Sequence, residues 1–162
     1  MKLNQCNEFL KSLWGNSISG GRLLATWSKK GGSKYWDDID TATEFITEQK
    51  SDTYMQVCLV RNGLSVRKRG TMRDTKAIGA LWLDVDTCAT DSHSGENKKQ
   101  YPPDTDSARD LISKINPPAS CINFSGGGGF QVWWFLKKVE IFDDTFVPTD
   151  TAELSLIHIY EP

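Results

Sequence analysis

Ala77-Ile78-Gly79-Ala80-Leu81-Trp82-Leu83-Asp84-Val85-Asp86-Thr87 is an uncharged run, rich in aromatic and branched residues, closed by two carboxylates at i and i+2. Such a run predicts a buried strand. Side chains alternate across a strand, so Asp84 and Asp86 share one face and Val85 takes the other. Two carboxylates held about 7 Å apart on one strand face repel each other unless a cation lies between them, and hard oxygen donors suit Mg²⁺ or Mn²⁺. The same residues also read as a strand that stops at Asp84, followed by solvated loop acids. Trp82 falls on the face of Asp84, where it either stacks on a base or packs into the core.

Composition bounds the remaining possibilities. A chain of 162 residues with 38% hydrophobic and 25% charged residues has the make-up of one soluble domain with a sizeable core. No apolar run approaches the roughly 20 residues of a membrane span, and the N-terminus lacks a secretory pattern. The cysteines Cys6, Cys58, Cys88 and Cys121 are scattered without a C-x-x-C pair, which argues against zinc and disulfides and for a reducing, cytoplasmic setting. A net charge of −2 offers no general attraction for nucleic acid, so such a role rests on local charge.

Upstream of the acidic stretch, Lys2–Trp14 has helical periodicity with Phe9, Leu10, Leu13 and Trp14 on one face, and Gly15 ends it. Arg22–Trp27 reads as a strand followed by a turn over Lys29–Ser33. The Thr41-x-x-Glu44 spacing predicts a capping box opening a helix from Ala42 to Gln49, with Phe45 and Ile46 inward. Thr53–Val60 reads as a strand ended by the Asn62-Gly63 turn. Between Leu64 and Lys76, Arg67, Lys68, Arg69, Arg73 and Lys76 stand against one acid, Asp74. Arg69 and Arg73 are the candidates there for nucleic-acid or phosphate contacts, the alternative being a solvated charged loop.

Downstream, residues 87–104 form a polar loop containing His93. Ala108, Leu111, Ile112 and Ile115 give one face of a helix from Asp106 to Asn116, stopped by Pro117-Pro118. Ala119–Phe124 and Gln131–Lys138 read as strands joined by Ser125-Gly126-Gly127-Gly128-Gly129. Four glycines exceed what a hairpin needs; they allow another molecule to approach the backbone amides, and with the Ser125 hydroxyl they suit an anion such as a phosphate. A merely flexible hairpin is the other reading. Trp133 and Trp134 point to opposite faces of their strand, so at most one lines a site. After about Glu153 the pattern dissolves, and Leu154–Ile159 resembles a translated sequencing adapter, so residues 154–162 read as a non-native tail.

The succession of an apolar strand ending in Asp84-x-Asp86, a helix, Pro117-Pro118, a strand, Ser125-Gly-Gly-Gly and an aromatic-Gln131-x-x-Trp134 segment resembles the primase-polymerase domain of the archaeo-eukaryotic primase superfamily. The nearest likeness is to its phage and plasmid replication-protein branch, over roughly Glu8–Lys138. The resemblance implies an α+β fold: an RRM-like central antiparallel sheet with helices on one face, plus an N-terminal α/β extension. It implies one catalytic domain over residues 1–153, incomplete at its C-terminus.

It further implies that Asp84 and Asp86 are catalytic metal ligands for Mg²⁺ or Mn²⁺. Ser125, Gly126, Gly127, Gly128 and Gln131 would contact the nucleoside triphosphate. DNA template is the implied partner, with a helicase domain or helicase partner often accompanying such domains. Many relatives carry histidine where Gln131 stands; glutamine can donate to a phosphate oxygen but does not titrate. The family's third acid has no convincing counterpart, since Asp143 and Asp144 lie too close to the preceding strand. Two other functions remain open: a non-catalytic nucleic-acid-binding module, and a haloacid-dehalogenase-type phosphatase. Against the phosphatase, Cys88 occupies the usual threonine position.

Overall fold

Helix α1 (Leu3–Trp14) buries Cys6, Leu10, Leu13 and Trp14, the i, i+4, i+7, i+8 stripe of an amphipathic helix. It ends where the Gly15 N–H bonds to the Lys11 carbonyl with φ +50°, the left-handed cap expected at this glycine. The computed structural model of the chain describes residues 3–88, 101–125 and 128–142. Over these residues the protein is α+β, as the sequence predicts. The element order is α1, β1 (Arg22–Ser28), β2 (Gly32–Trp36), α2 (Ile39–Glu48), β3 (Tyr54–Arg61), β4 (Thr75–Val85), α3 (Thr105–Ser113), β5 (Cys121–Phe124) and β6 (Phe130–Ile141). The strands form one six-stranded antiparallel sheet in the order β2-β1-β3-β4-β6-β5.

The described residues fall into two compact units, 3–80 with 136–142 and 81–88 with 101–125 and 128–135. In the first, helices α1 and α2 pack together. Trp36 stacks on Phe45 of α2 with ring centroids 4.9 Å apart. Gly79 lets α1 lie against β4: a β-carbon there would run into the Leu13 carbonyl and crowd Trp14. Leu24, Leu59 and Ala77 are paired across β1, β3 and β4 and are fully buried or nearly so. A second cluster of Ala25, Cys58, Val60, Ile78 and Phe142 is overlaid by Leu64. The chain after β3 is held there by the Tyr35 hydroxyl, which bonds to the Lys68 carbonyl.

Helix α3 ends at Ser113 and leaves Leu111 49% exposed, so only Ala108 and Ile112 of its expected face are buried. Two expectations in the first unit also differ from the structure. Helix α2 begins at Ile39, capped by Asp38, whose carboxylate accepts from the Thr41 N–H at 2.8 Å. Thr41 is therefore a donor inside the first turn, not the cap, because a carboxylate three residues earlier is the stronger acceptor for that amide. Residues Gly32 and Ser33, expected in a turn, open strand β2, paired from Ser28↔Gly32 to Leu24↔Trp36. Its polar Gly-Ser-Lys start carries no hydrophobic alternation, and pairing with β1 alone makes it a strand.

In the second unit, Val85, Ala108, Ile112, Phe130 and Val132 form the core, with Leu83 and Trp134 at its margin. Helix α3 is capped by Asp104, which accepts from the Ser107 N–H at 2.7 Å. The Trp134 indole donates to the Pro117 carbonyl at 2.8 Å, fastening the chain beyond α3 to β6. None of the four cysteines is in a disulfide, and burial pushes the thiols of Cys6, Cys58 and Cys121 up, which disfavours the thiolate. No helix among the described residues is long and apolar enough to cross a membrane.

Candidate functional site

Strand β4 ends at Val85, so Asp84 lies on the strand and Asp86 immediately beyond it. The alternation nevertheless continues: Asp84 is exposed and Asp86 half-buried, whereas Val85 is 7% and Thr87 0% exposed on the opposite side. The inward pair has a clear role. Val85 joins the core under α3, and the Thr87 hydroxyl donates to the Gly128 carbonyl at 3.0 Å. That bond ties the end of the acidic strand to the glycine bend between β5 and β6.

The bend closes on itself. Both the Ser125 N–H (2.9 Å) and the Ser125 hydroxyl (3.0 Å) donate to the Gly129 carbonyl. Ser125 therefore shapes the bend, and its proton is engaged there. Gly128 has φ +95°, in the region that side-chain-bearing residues avoid. Gly129 is buried, and a β-carbon on it would stand 3.0 Å from the Val85 carbonyl oxygen and 3.2 Å from both Asp86 Oδ1 and Ser125 Oγ. The absence of a side chain at Gly129 leaves room for the Asp86 carboxylate and the Ser125 hydroxyl each to lie against the bend. Gly126 and Gly127 lie outside the described residues, as do His93, Asp143, Asp144 and the tail from 154.

Gln131 follows on β6, directly across from Asn123 of β5. Two residues on, Trp133 pairs across with Cys121, and its ring lies 6.2 Å from that of Trp82. Trp82 thus meets the face of β6 that carries Gln131 and Trp133, while Trp134 turns to the α3 side, as strand alternation requires. The Trp82 indole N–H is buried with no hydrogen-bond partner.

The structure brings together Asp86, Ser125 and Gly128 from the sequence-derived set, with Asp84 and Gln131 on strands that flank them. Arg69 and Arg73 belong to the first unit: Arg69 lies over the ring of Trp27, and Arg73 is exposed in the short 3₁₀ turn Met72–Asp74. Two contributors escaped the sequence reading. Gly129 was legible only as the last of four glycines, and Thr87 only as an inward position beyond the second acid.

Hard oxygen donors on one side of a strand end, backed by a bend of backbone and hydroxyl groups, fit a divalent cation better than a soft-ligand metal. Among the described residues no three His, Cys, Asp or Glu side chains gather into a metal cluster, so the fit extends to the acid pair. Comparison with protein-family models, with curated proteins and with solved structures finds no match for this chain.

Proposed function

We propose that the chain is a primase-polymerase domain that joins nucleotides on a DNA template, as in phage or plasmid replication. The observation that carries this reading is the approach of Asp86 Oδ1 and Ser125 Oγ to the Gly129 bend. It sets an acid pair suited to a cation beside a glycine bend whose remaining backbone N–H groups would take the phosphates, the Ser125 donors being spent on the Gly129 carbonyl, and a nucleoside triphosphate travels with its cation. Asp84 and Asp86 would hold Mg²⁺ or Mn²⁺. Such a cation, when bound, lowers the pKa of an attacking 3′-hydroxyl and neutralises the leaving pyrophosphate.

The chain's own residues have distinct tasks in this scheme. Thr87 anchors the bend to the acidic strand, and placement on a packed strand end keeps the carboxylates in register with it. Gln131 would donate its amide N–H to a phosphate oxygen without taking up or releasing a proton. A helicase domain or partner would supply unwound template.

Incorporation of labelled nucleotides on a single-stranded DNA template, primed and unprimed, tests the reading. We expect template-dependent incorporation with Mg²⁺ or Mn²⁺, lost in EDTA and in Asp84→Ala and Asp86→Ala. Wild-type incorporation by both variants overturns it. Strand binding that survives EDTA without any incorporation points instead to a non-catalytic nucleic-acid-binding module, and hydrolysis of a simple phosphomonoester to a phosphatase.

A further inference from the structure

Ser33, Trp27 and Tyr54 form one row across β2, β1 and β3, set by the pairings Ser33↔Trp27 and Trp27↔Tyr54. Directly opposed residues of antiparallel strands share a face, so the hydroxyl and both rings point the same way. The Trp27 and Tyr54 rings are 5.6 Å apart, and Tyr54 is 57% exposed. The chain following β3 passes over the Ser33 end of the row, where the Ser33 N–H donates to the Val66 carbonyl at 2.9 Å. From that same segment the Arg69 guanidinium sits 3.4 Å above the Trp27 ring centre. A cavity of about 320 Å³ remains, lined by Ser33, Trp27, Tyr54, Gln56 and Arg69 among others. Its volume lies at the lower end of the range for small-molecule sites, about 300–1,000 Å³.

Ser33 is the decisive member. It is 2% exposed, it lines the cavity, and its Oγ has no hydrogen-bond partner. A buried hydroxyl with no protein partner lowers stability unless something else satisfies it, and here it opens onto the cavity. With Arg69 over the Trp27 ring, the cavity asks three things of an occupant: a flat face for Tyr54, a polar edge for Ser33 Oγ and the Gln56 amide, and negative charge for Arg69. Arg67 and Lys68, both exposed, extend that charge along the segment. A nucleotide meets all three demands.

We propose that this cavity holds one nucleotide of a single-stranded nucleic acid, its base against Tyr54 with an edge on Ser33 Oγ and its phosphate on Arg69. The binding stands by itself; only the strand's role as template rests on the polymerase reading above.

Fluorescence anisotropy of a labelled 12-nucleotide DNA single strand, titrated with the full chain in EDTA, is the test. Tyr54→Ala should weaken binding about tenfold, the usual effect of removing one stacked base contact. Arg69→Gln should weaken it and flatten the slope of log affinity against log salt by about 0.7. Ser33→Ala should weaken it severalfold while Tm stays level or rises, because the unpaired hydroxyl is gone. Binding within twofold of wild type in all three variants overturns the proposal. So does Ser33→Ala lowering Tm with strand binding intact, which would make the hydroxyl structural. Loss of ATP binding in these variants with strand binding intact overturns the assignment to a strand. Since the assay contains EDTA and no reaction, strand binding lost in the variants upholds this site even if no incorporation is ever seen.

Discussion

The Thr87 hydroxyl donates to the Gly128 carbonyl across 41 residues of sequence, and the bond pins the glycine bend to the end of the strand that carries Asp84 and Asp86. Thr87 is fully buried, so its hydroxyl has no water to fall back on. The bond is worth about 1 kcal/mol by the usual balance of such interactions, and its position matters more than its size.

Thr87→Val keeps the shape of the side chain and removes the donor. We expect a loss of about 1 kcal/mol, seen as a Tm lower by about 2–4 °C, with a larger fractional loss of nucleotide incorporation. Thr87→Ser retains the donor and should keep incorporation near wild type. Equal incorporation by the Val and Ser variants would show that the tether is not needed for the chemistry.

At Gly129 a methyl group would press on the Val85 carbonyl, Asp86 Oδ1 and Ser125 Oγ together. Overpacking of this kind costs about 1–3 kcal/mol, and here the softest neighbour is the Asp86 carboxylate, which must swing aside. Gly129→Ala should therefore retain a cooperative thermal transition while Mg²⁺-dependent incorporation drops at least tenfold. Unchanged incorporation would mean that the bend and Asp86 do not act as one unit.

Gly79→Ala provides the contrast, because its new methyl meets the Leu13 backbone and the Trp14 ring, neither of which can yield. A loss of about 3 kcal/mol or more is expected, read as a fall in Tm of about 6–12 °C. Leu10→Ala, on the buried stripe of α1, should cost about 2–5 kcal/mol through the cavity it leaves.

Asp74 should contribute to acid sensitivity, alongside Asp38, Asp40 and Asp104, whose carboxyls hydrogen bonds also hold low. Burial raises its pKa, but hydrogen bonds from the Thr71 hydroxyl and N–H and from the Arg61 guanidinium at 2.7 Å outweigh burial, so the carboxyl titrates below its ordinary value. A carboxyl held low in the folded state binds fewer protons there than in the unfolded chain. Its contribution is complete above the unfolded value of about 3.9 and drains as pH falls through the lower folded value. Urea unfolding from pH 7 down to pH 3 should show stability falling below about pH 4, and Asp74→Asn should flatten that limb. An unchanged limb in the variant would place the acid sensitivity elsewhere.

Periodicity along the chain determined much of this protein. The apolar stripe of α1, the strand running into Asp84 and Asp86, and the opposite facing of Trp133 and Trp134 follow from spacings of two or of three to four residues, whereas of the expected α3 stripe only Ala108 and Ile112 are buried. Such spacings are local, so they survive in one dimension. What only the tertiary structure decided depends on partners far apart in sequence. Pairing with β1 turned Gly32–Trp36 into a strand, and Asp38 displaced Thr41 as the cap of α2. Likewise, strand pairing brought Ser33, Trp27 and Tyr54 into one row, and packing set Gly129 against Asp86. No local pattern encodes these meetings, because each is fixed by which strands lie side by side and in what register.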